Sequence, residues 1–299
     1  MTVIQRSARW WATGVALIVA MNAPAQQQFE MTANILYGTV NGHDLKLDLY
    51  LPMDSTNPPL LIWVHGGAWR SGSKERVLTT AFVEQGYAMA SVDFRLSGDA
   101  MFPAQIHDIK AAIRFLRGNV ASFGYDASRI GILGSSSGGH LVALVGTTNG
   151  HDNLEGTVGD YLDQSSDVQA TVSYFGASNL TTILKQSTPH GLSVRVPALD
   201  LLLGGQPEEK ESLARLASPV FHVDATDPPM LLLHGDQDPQ MPINQSHELH
   251  NAYKERTLQV QFEVVHGAAH GGEQFSDEQR TELVKAFLDK QLRPLSGSN

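Results

Sequence analysis

Hydrophobic positions along the chain fall into short runs separated by turn residues and by longer amphipathic stretches. Residues 35–51 alternate apolar and polar side chains on either side of an Asn41-Gly42 turn, which predicts an antiparallel hairpin with one buried face. Six later runs are apolar almost throughout, as expected of parallel strands buried on both faces. These runs span residues 60–64, 87–92, 130–133, 168–174, 230–233 and 260–265.

Helical patterns lie between most of these runs, at residues 105–117, 137–145, 243–254 and 277–292. Strands that alternate with helices predict an α/β fold with a mostly parallel sheet and helices on both faces. In such sheets ligands bind at the carboxyl ends of the strands. The residues that directly follow each apolar run are therefore the first place to look for chemistry.

One interval, residues 147–222, breaks this alternation. It contains one clear strand, followed over residues 176–206 by a stretch interrupted by Gly, Pro, Ser and Asn. A connection of that length predicts a cap or substrate loop inserted after the predicted helix at residues 137–145. No repeat or linker divides the remainder, so residues 26–299 are predicted to form one domain.

The first 25 residues have the features of a secretory signal peptide. Arg6 and Arg9 precede an apolar run over residues 10–21, and Ala23-Pro24-Ala25 gives a small-x-small cleavage site. The run is too short to span a bilayer. An uncleaved anchor or a buried helix is the alternative, disfavoured because three glutamines follow with no stop-transfer charges. We therefore expect an exported bacterial protein, periplasmic or extracellular.

Composition narrows the range of chemistry. The chain has 299 residues, 42% hydrophobic, with 21 Lys+Arg against 31 Asp+Glu and a net charge of -10. This acidic balance, with no basic run, argues against nucleic acid and against stable association with anionic membranes. The absence of Cys excludes disulfides, thiolate metal sites and a Cys nucleophile. Catalysis would need Ser, His, carboxylates or a cofactor.

Three consecutive serines follow the run at 130–133, and the glycines around them single out one. Only Ser136 has Gly at both minus two and plus two, Gly134 and Gly138, which is the G-x-S-x-G spacing of a nucleophile elbow. A Cβ at either flanking position would crowd the strand and helix that fold against each other. Ser135 and Ser137 are predicted to be small turn residues, with Ser137 offering its backbone N–H.

A glycine-rich motif follows another of the predicted strands. His65-Gly66-Gly67-Ala68-Trp69 follows the run at 60–64, where a Gly-rich segment can supply N–H groups to an oxyanion hole. We expect His65 to support the loop by a local hydrogen bond and not to act as a base.

Acids and histidines follow the last two runs. Asp236 and Asp238 come after residues 230–233, and His266 and His270 come after residues 260–265. The order Ser, Asp, His is the order in α/β-hydrolases. A serine needs a general base, and an Asp fixes the tautomer of that base and stabilises its imidazolium form.

Together these motifs resemble the α/β-hydrolase family. More narrowly, residues 65–69, 91–96, 134–139, 234–238 and 270–271 look like those of secreted bacterial carboxylesterases of the feruloyl and acetylxylan esterase group, related to hormone-sensitive-lipase-type esterases. The family's spacing selects Asp238 over Asp236 and His270 over His266. The resemblance implies Ser136 as nucleophile, Asp238 as acid, His270 as base, N–H donation by Gly67, Ala68 and Ser137, and loop support by His65, Gly66 and Trp69.

The chain departs from the family pattern at two positions. Ala68 stands where lipase-like relatives have a third Gly, and Phe94 stands where Tyr is usual. Neither change removes a backbone N–H. We expect Ala68 to narrow the acyl pocket.

The resemblance implies a serine carboxylic ester hydrolase with no metal and no cofactor. Its substrate would be a small or polysaccharide-linked ester with a short-chain or compact aromatic acyl group, feruloyl and acetyl cell-wall esters included. One alternative is a serine peptidase of the prolyl-oligopeptidase kind. Another, from a different class, is a non-catalytic binding module on a hydrolase scaffold, although no triad member is missing.

Other histidines fit structural roles better. His247, Glu248 and His250 share a predicted helix, but their spacing is not the H-E-x-x-H of a zinc protease, and a solvated helix face is expected. His140, one turn beyond the nucleophile, is predicted to pack inside its helix.

Overall fold

A computed structural model describes residues 28–293 of the chain. The predicted signal peptide, residues 1–25, lies outside the described residues and stays a prediction. Within the described part, no helix is long and apolar enough to cross a membrane.

Eight strands form one sheet in the order β1-β2-β4-β3-β5-β6-β7-β8. The predicted hairpin pairs β1 with β2, and β2 adds antiparallel to β4. All remaining neighbours are parallel. The strands are β1 Phe29–Val40, β2 His43–Pro52, β3 Pro59–Val64, β4 Ala88–Val92, β5 Asp126–Ser135, β6 Ala170–Tyr174, β7 Met230–Gly235 and β8 Val260–Val265.

Helices cover both faces of the sheet, as predicted. They are α1 Ala81–Glu84, α2 Ala104–Gly118, α3 Val120–Phe123, α4 Ser137–Gly146, α5 Asp152–Glu155, α6 Ile183–Gln186, α7 Pro189–Leu203, α8 Glu211–Leu216, α9 Asn244–Glu255 and α10 Glu278–Leu292, with 3₁₀ turns at Pro219–Phe221 and Glu273–Phe275.

The central strand β3 shows why the apolar runs are continuous. Leu60 and Ile62 point into one core, which they share with α2 and α4. Leu61 and Trp63 point into a second core, which they share with α1 and α10. Both faces of the strand are removed from water, so every position along it favours an apolar side chain.

Much of the stretch predicted as cap or loop is helical. Helix α7 begins where the Thr188 hydroxyl accepts the Gly191 N–H, with Pro189 in the first turn, and ends at Gly204 in the left-handed conformation. Its buried face includes Ala198, Leu199 and Leu202. The prediction of an irregular loop is therefore wrong over this segment, because Pro189 and Gly204 mark the two ends of a helix.

Candidate active site

The nucleophile candidate lies on a sharp turn between β5 and α4. Ser136 has φ 55° and ψ -118°, a conformation that costs free energy for a residue with a Cβ. A Cβ on Gly134 would lie 2.6 Å from Gly138 O, and one on Gly138 would lie 2.1 Å from Val64 O. The two flanking glycines therefore allow β5 and α4 to approach each other closely, as predicted from the sequence.

Three side chains form a continuous hydrogen-bond chain. Ser136 Oγ lies 2.8 Å from His270 Nε2, and His270 Nδ1 lies 2.6 Å from Asp238 Oδ2. The three residues come from the ends of β5, β7 and β8 and are up to 134 positions apart in sequence. This geometry lets one imidazole accept the serine proton on one nitrogen while its other N–H donates to a carboxylate.

Asp238 is buried and held from two sides. Its Oδ1 accepts the backbone N–H groups of Gln240 and Met241, each at 2.8 Å. Burial acts to raise the pKa of Asp238, but hydrogen bonds from His234 and His270, the attraction to His270 when that ring is protonated, and the Met241 N–H outweigh it and hold the pKa well below its ordinary value. The side chain is therefore a fixed anion beside His270.

His234 is a functional neighbour that sequence reasoning did not assign. Its Nδ1 lies 2.7 Å from Ser246 Oγ, and its Nε2 lies 3.0 Å from Met241 O and 3.4 Å from Asp238 Oδ2. With Nε2 donating, the ring fixes the turn that carries the acid. The signal that could have found it is its position near the carboxyl end of β7.

His270 lies in a mostly apolar surrounding. The Phe175 ring meets its ring edge-to-face, with centroids 4.8 Å apart, and Phe175 itself packs on Phe275. Burial lowers the pKa of His270, opposed by its hydrogen bond to Asp238, and the positive charge of Arg195 lowers it further. The imidazole is therefore neutral and able to accept a proton at neutral pH.

The glycine-rich loop after β3 exposes backbone donors. Gly67, Ala68 and Trp69 have φ values of 126°, 54° and 58°. Within residues 28–293, the N–H groups of Gly67 and Ala68 donate to no backbone or side-chain acceptor. Ser137 opens α4, where the first N–H groups have no intrahelical partner. These donors have the properties needed to stabilise an oxyanion.

Supporting contacts hold this loop. His65 Nδ1 lies 2.8 Å from Gly66 O, and its ring stacks on Phe94 with centroids 4.5 Å apart. Burial lowers the pKa of His65. His65 therefore lies within the loop as a packed, neutral ring.

Trp69 connects the same loop to helix α4, which follows Ser136. Its indole N–H donates to His140 Nδ1 at 3.0 Å, and His140 Nε2 donates to Ala217 O at 2.6 Å. Burial lowers the pKa of His140 to about 4, which keeps it neutral in this bridge. His140 thus packs inside the protein as predicted and also joins the loop to the segment after α8.

The prediction that His247, Glu248 and His250 form a solvated face of α9 is confirmed for His247 and wrong for Glu248 and His250, which are half-buried. Glu248 accepts hydrogen bonds from Asn179 Nδ2 at 2.6 Å and Thr182 Oγ1 at 3.0 Å. It ties α9 to the start of the interval after β6, because the polar side chains of that segment need acceptors there. His247 is exposed, as expected.

A cleft of about 310 Å³ opens onto the site. Its walls include Ser136 and His270, the loop residues Gly66, Gly67 and Ala68, the ring of Phe175, and two arginines, Arg70 and Arg76. Among residues 28–293, no cluster of three or more His, Asp or Glu is arranged to hold a metal ion.

The chain matches known proteins over most of its length. Residues 47–253 match the BD-FAE family. Esterase LipQ of Mycobacterium tuberculosis is 30% identical over 78% of this chain and 55% of its own length. A truncated carbohydrate esterase from gut microbiota superposes with TM-score 0.81 and 33% identity, over 90% of this chain and 99% of that one. Thermogutta terrifontis esterase 2, phosphonylated by sarin, gives TM-score 0.73 and 26% identity, over 89% and 96%.

These similarities define the class of protein. The sheet, its helices and its strand-end site form an α/β-hydrolase fold. The chain belongs to the BD-FAE family, among the α/β-hydrolase carboxylesterases related to hormone-sensitive-lipase-type esterases. It spans about half the length of the curated relatives that it matches.

Proposed function

We propose that the protein is a serine carboxylic ester hydrolase that works through an acyl-enzyme. The observation that carries the proposal is the unbroken hydrogen-bond chain Ser136, His270, Asp238 at the floor of an open cleft. An enzyme of this kind needs its nucleophile, base and orienting acid within hydrogen-bond distance. The esterase relatives support the same reaction.

In the first half-reaction Ser136 Oγ attacks the ester carbonyl carbon while His270 Nε2 takes its proton. The carbonyl oxygen becomes an oxyanion, stabilised by the N–H groups of Gly67, Ala68 and Ser137. Collapse breaks the bond to the alcohol, which leaves with the proton from His270. Asp238 stabilises the imidazolium throughout.

In the second half-reaction water attacks the acyl-Ser136 carbonyl and gives its proton to His270. The tetrahedral intermediate then collapses, the carboxylic acid leaves, and His270 returns its proton to Ser136 Oγ. Phosphonylation of the Thermogutta esterase by sarin supports an activated nucleophile in that structurally similar enzyme.

Short-chain or compact aromatic acyl groups are the proposed substrates. Ala68 carries a Cβ in the oxyanion loop, and the cleft of about 310 Å³ is small. The Thermogutta esterase has been solved with butyrate and with propionate bound, and the gut neighbour is a carbohydrate esterase. Acetyl and feruloyl esters of plant cell-wall polysaccharides, met outside the cytoplasm after export, fit this class.

A hydrolysis panel tests the proposal. It comprises p-nitrophenyl esters from acetate to palmitate, methyl ferulate, acetylated xylan, and a prolyl p-nitroanilide for the peptidase alternative. We expect short and compact esters to be cleaved, Ser136→Ala to lose several powers of ten in kcat, and Ser135→Ala to keep most activity. A Ser136→Ala variant at the parental rate, or a preference for palmitate over butyrate, would contradict the proposal.

A further inference from the structure

Two arginines line the cleft that contains the candidate triad. Arg70 directly follows the oxyanion loop, and Arg76 lies six residues later. Both residues line the same cleft as Ser136 and His270. No Asp or Glu side chain lines this cleft. In a chain whose net charge is -10, a cleft lined by two arginines and by no Asp or Glu is opposite in charge to the molecule as a whole.

Neither guanidinium is engaged elsewhere in the described structure. Among residues 28–293, Arg70 and Arg76 side chains form no ion pair within 4.0 Å and no hydrogen bond. By contrast, Arg95, Arg114 and Arg280 each pair with a carboxylate. These three arginines have carboxylate partners within the fold, and the two in the cleft do not.

The backbone that presents these arginines is anchored. Arg70 N and Ser71 N both donate to Gly67 O, at 3.2 and 3.1 Å. At the other end, Trp63 Nε1 donates to Arg76 O at 2.7 Å. Between them, the buried Lys74 pairs with Asp48 at 2.9 Å. The side chains therefore project from a fixed segment, which reduces the entropy lost when a ligand binds.

A third positive charge lies behind the cleft. Arg195 of α7 is fully buried, with its guanidinium 5.8 Å from the centroid of the Trp69 ring. None of its three guanidinium nitrogens has a hydrogen-bond partner among the described residues. Its charge lowers the pKa of His270. The buried carboxylate of Asp238 is the nearest compensating charge, and the positive charge of Arg70 opposes it.

We propose that the cleft selects esters that carry a carboxylate and that Arg70 and Arg76 bind it. This inference rests on the proposed esterase function. A planar carboxylate accepts paired hydrogen bonds from a guanidinium. The carboxylate can sit on the alcohol half, as in an acetylated uronic acid sugar, or on the acyl half, as in a dicarboxylic acid monoester. Both present the same anion to the cleft.

Two pairs of esters test the proposal and separate the two sources. On the alcohol side, 4-acetoxybenzoate is compared with neutral 4-acetoxybenzamide. On the acyl side, p-nitrophenyl hemiadipate is compared with p-nitrophenyl hexanoate. Each kcat/KM is divided by the rate of that ester with hydroxide, which removes intrinsic reactivity. The ratio of charged to neutral ester is then measured within one protein preparation, so that the active fraction cancels.

For the wild type, we expect the ratio of charged to neutral ester to be about ten in at least one pair. This is the size of effect expected of a charge-assisted hydrogen bond. Arg70→Gln and Arg76→Gln should each lower that ratio several-fold, and the double variant should bring it to about one. Added salt should lower the rate on the charged ester more than on the neutral ester. The pair that shows the preference identifies the half of the ester that carries the anion.

Arg256→Gln is the matched control, because it removes the same charge from an exposed position that precedes β8, whereas the cleft lies beyond the carboxyl ends of the strands. Its ratio should equal the wild-type ratio. A wild-type ratio near one in both pairs, or an unchanged ratio in the Arg70/Arg76 double variant, would overturn the inference. Hydrolysis of the neutral esters that depends on Ser136 would in that case leave the esterase proposal standing. Loss of that dependence would refute the esterase proposal itself.

Discussion

Asp236 Oδ2 and His266 Nδ1 lie 2.8 Å apart, so the two residues not selected as acid and base hydrogen-bond to each other. Their pair is exposed, whereas the pair formed by Asp238 and His270 is buried and reaches Ser136. Hydrogen bonds from His266 and from the Gly267 N–H hold the pKa of Asp236 below its ordinary value. These two pairs share the same Nδ1 to Oδ2 hydrogen bond, at 2.8 and 2.6 Å, and of the two only the pair of Asp238 and His270 contacts Ser136.

The two pairs give a matched experiment on the acid. Asp238→Asn should lower kcat by roughly 10³- to 10⁴-fold, because an amide cannot stabilise the imidazolium and favours the wrong tautomer of His270. Asp236→Asn makes the same chemical change in the exposed pair and should leave kcat within about twofold, since exposed ion pairs contribute little. Steady-state rates on p-nitrophenyl acetate decide between them. A larger defect in Asp236→Asn would transfer the role.

The pH profile tests the base. Burial lowers the pKa of His270 below the ordinary value of 6.5, and only the neutral imidazole can take the serine proton. We therefore expect kcat/KM to rise with pH along an acid limb centred below 6.5 and to be level by about pH 7.5. His266→Ala should keep that limb and His270→Ala should abolish activity. An acid limb centred above 7 would contradict the assignment.

The sequence was sufficient for the parts of the site that follow strand ends. Ser136, Asp238 and His270 each come within a few residues of an apolar run, and parallel strands must bring those ends together. Arg195 could not be found this way, because it lies on a helix of the cap interval and reaches Trp69 only through tertiary packing. For Asp236 and His266, the family's motif spacing already favoured Asp238 and His270, but the hydrogen bond between Asp236 and His266 and the difference in burial between the two pairs appear only in the structure.

The oxyanion loop provides a prediction about backbone conformation. Gly67 has φ 126°, and a Cβ there would lie 1.9 Å from Ser71 O, so Gly67→Ala must displace the loop. We expect a loss of about 3 kcal/mol in stability or a collapse of kcat through misplaced N–H donors. Gly42→Ala is the control, because Gly42 also has positive φ, 80°, but nothing lies within 4 Å of its Cβ position. It should cost only about 1 kcal/mol and leave kcat unchanged.

Asp227 predicts how stability depends on pH. Burial raises its pKa from 3.8 to about 7, so the folded protein keeps a proton that the unfolded chain releases near pH 4. The free energy of unfolding should therefore fall by about 2 kcal/mol as pH rises from about 4 to 7. This is roughly half of the free energy that corresponds to the full pKa shift, because water partly reaches the side chain. Urea unfolding at several pH values measures this. Asp227→Asn should flatten the decline, and the exposed Asp160→Asn should not.

Arg195 supplies the last prediction, on the base and on stability together. Its charge lowers the pKa of His270, and its guanidinium is buried without a hydrogen-bond partner among residues 28–293. Met fills a similar volume without charge, so Arg195→Met should move the acid limb of kcat/KM to higher pH. Because an unpaired buried cation is unfavourable, the same variant should be as stable as the wild type or more stable in urea. Arg195→Lys keeps the charge and should leave the limb in place. An acid limb that does not move in Arg195→Met would show that the charge of Arg195 does not act on His270. A large loss of stability in the same variant would show that packing on Trp69 outweighs the cost of the buried charge.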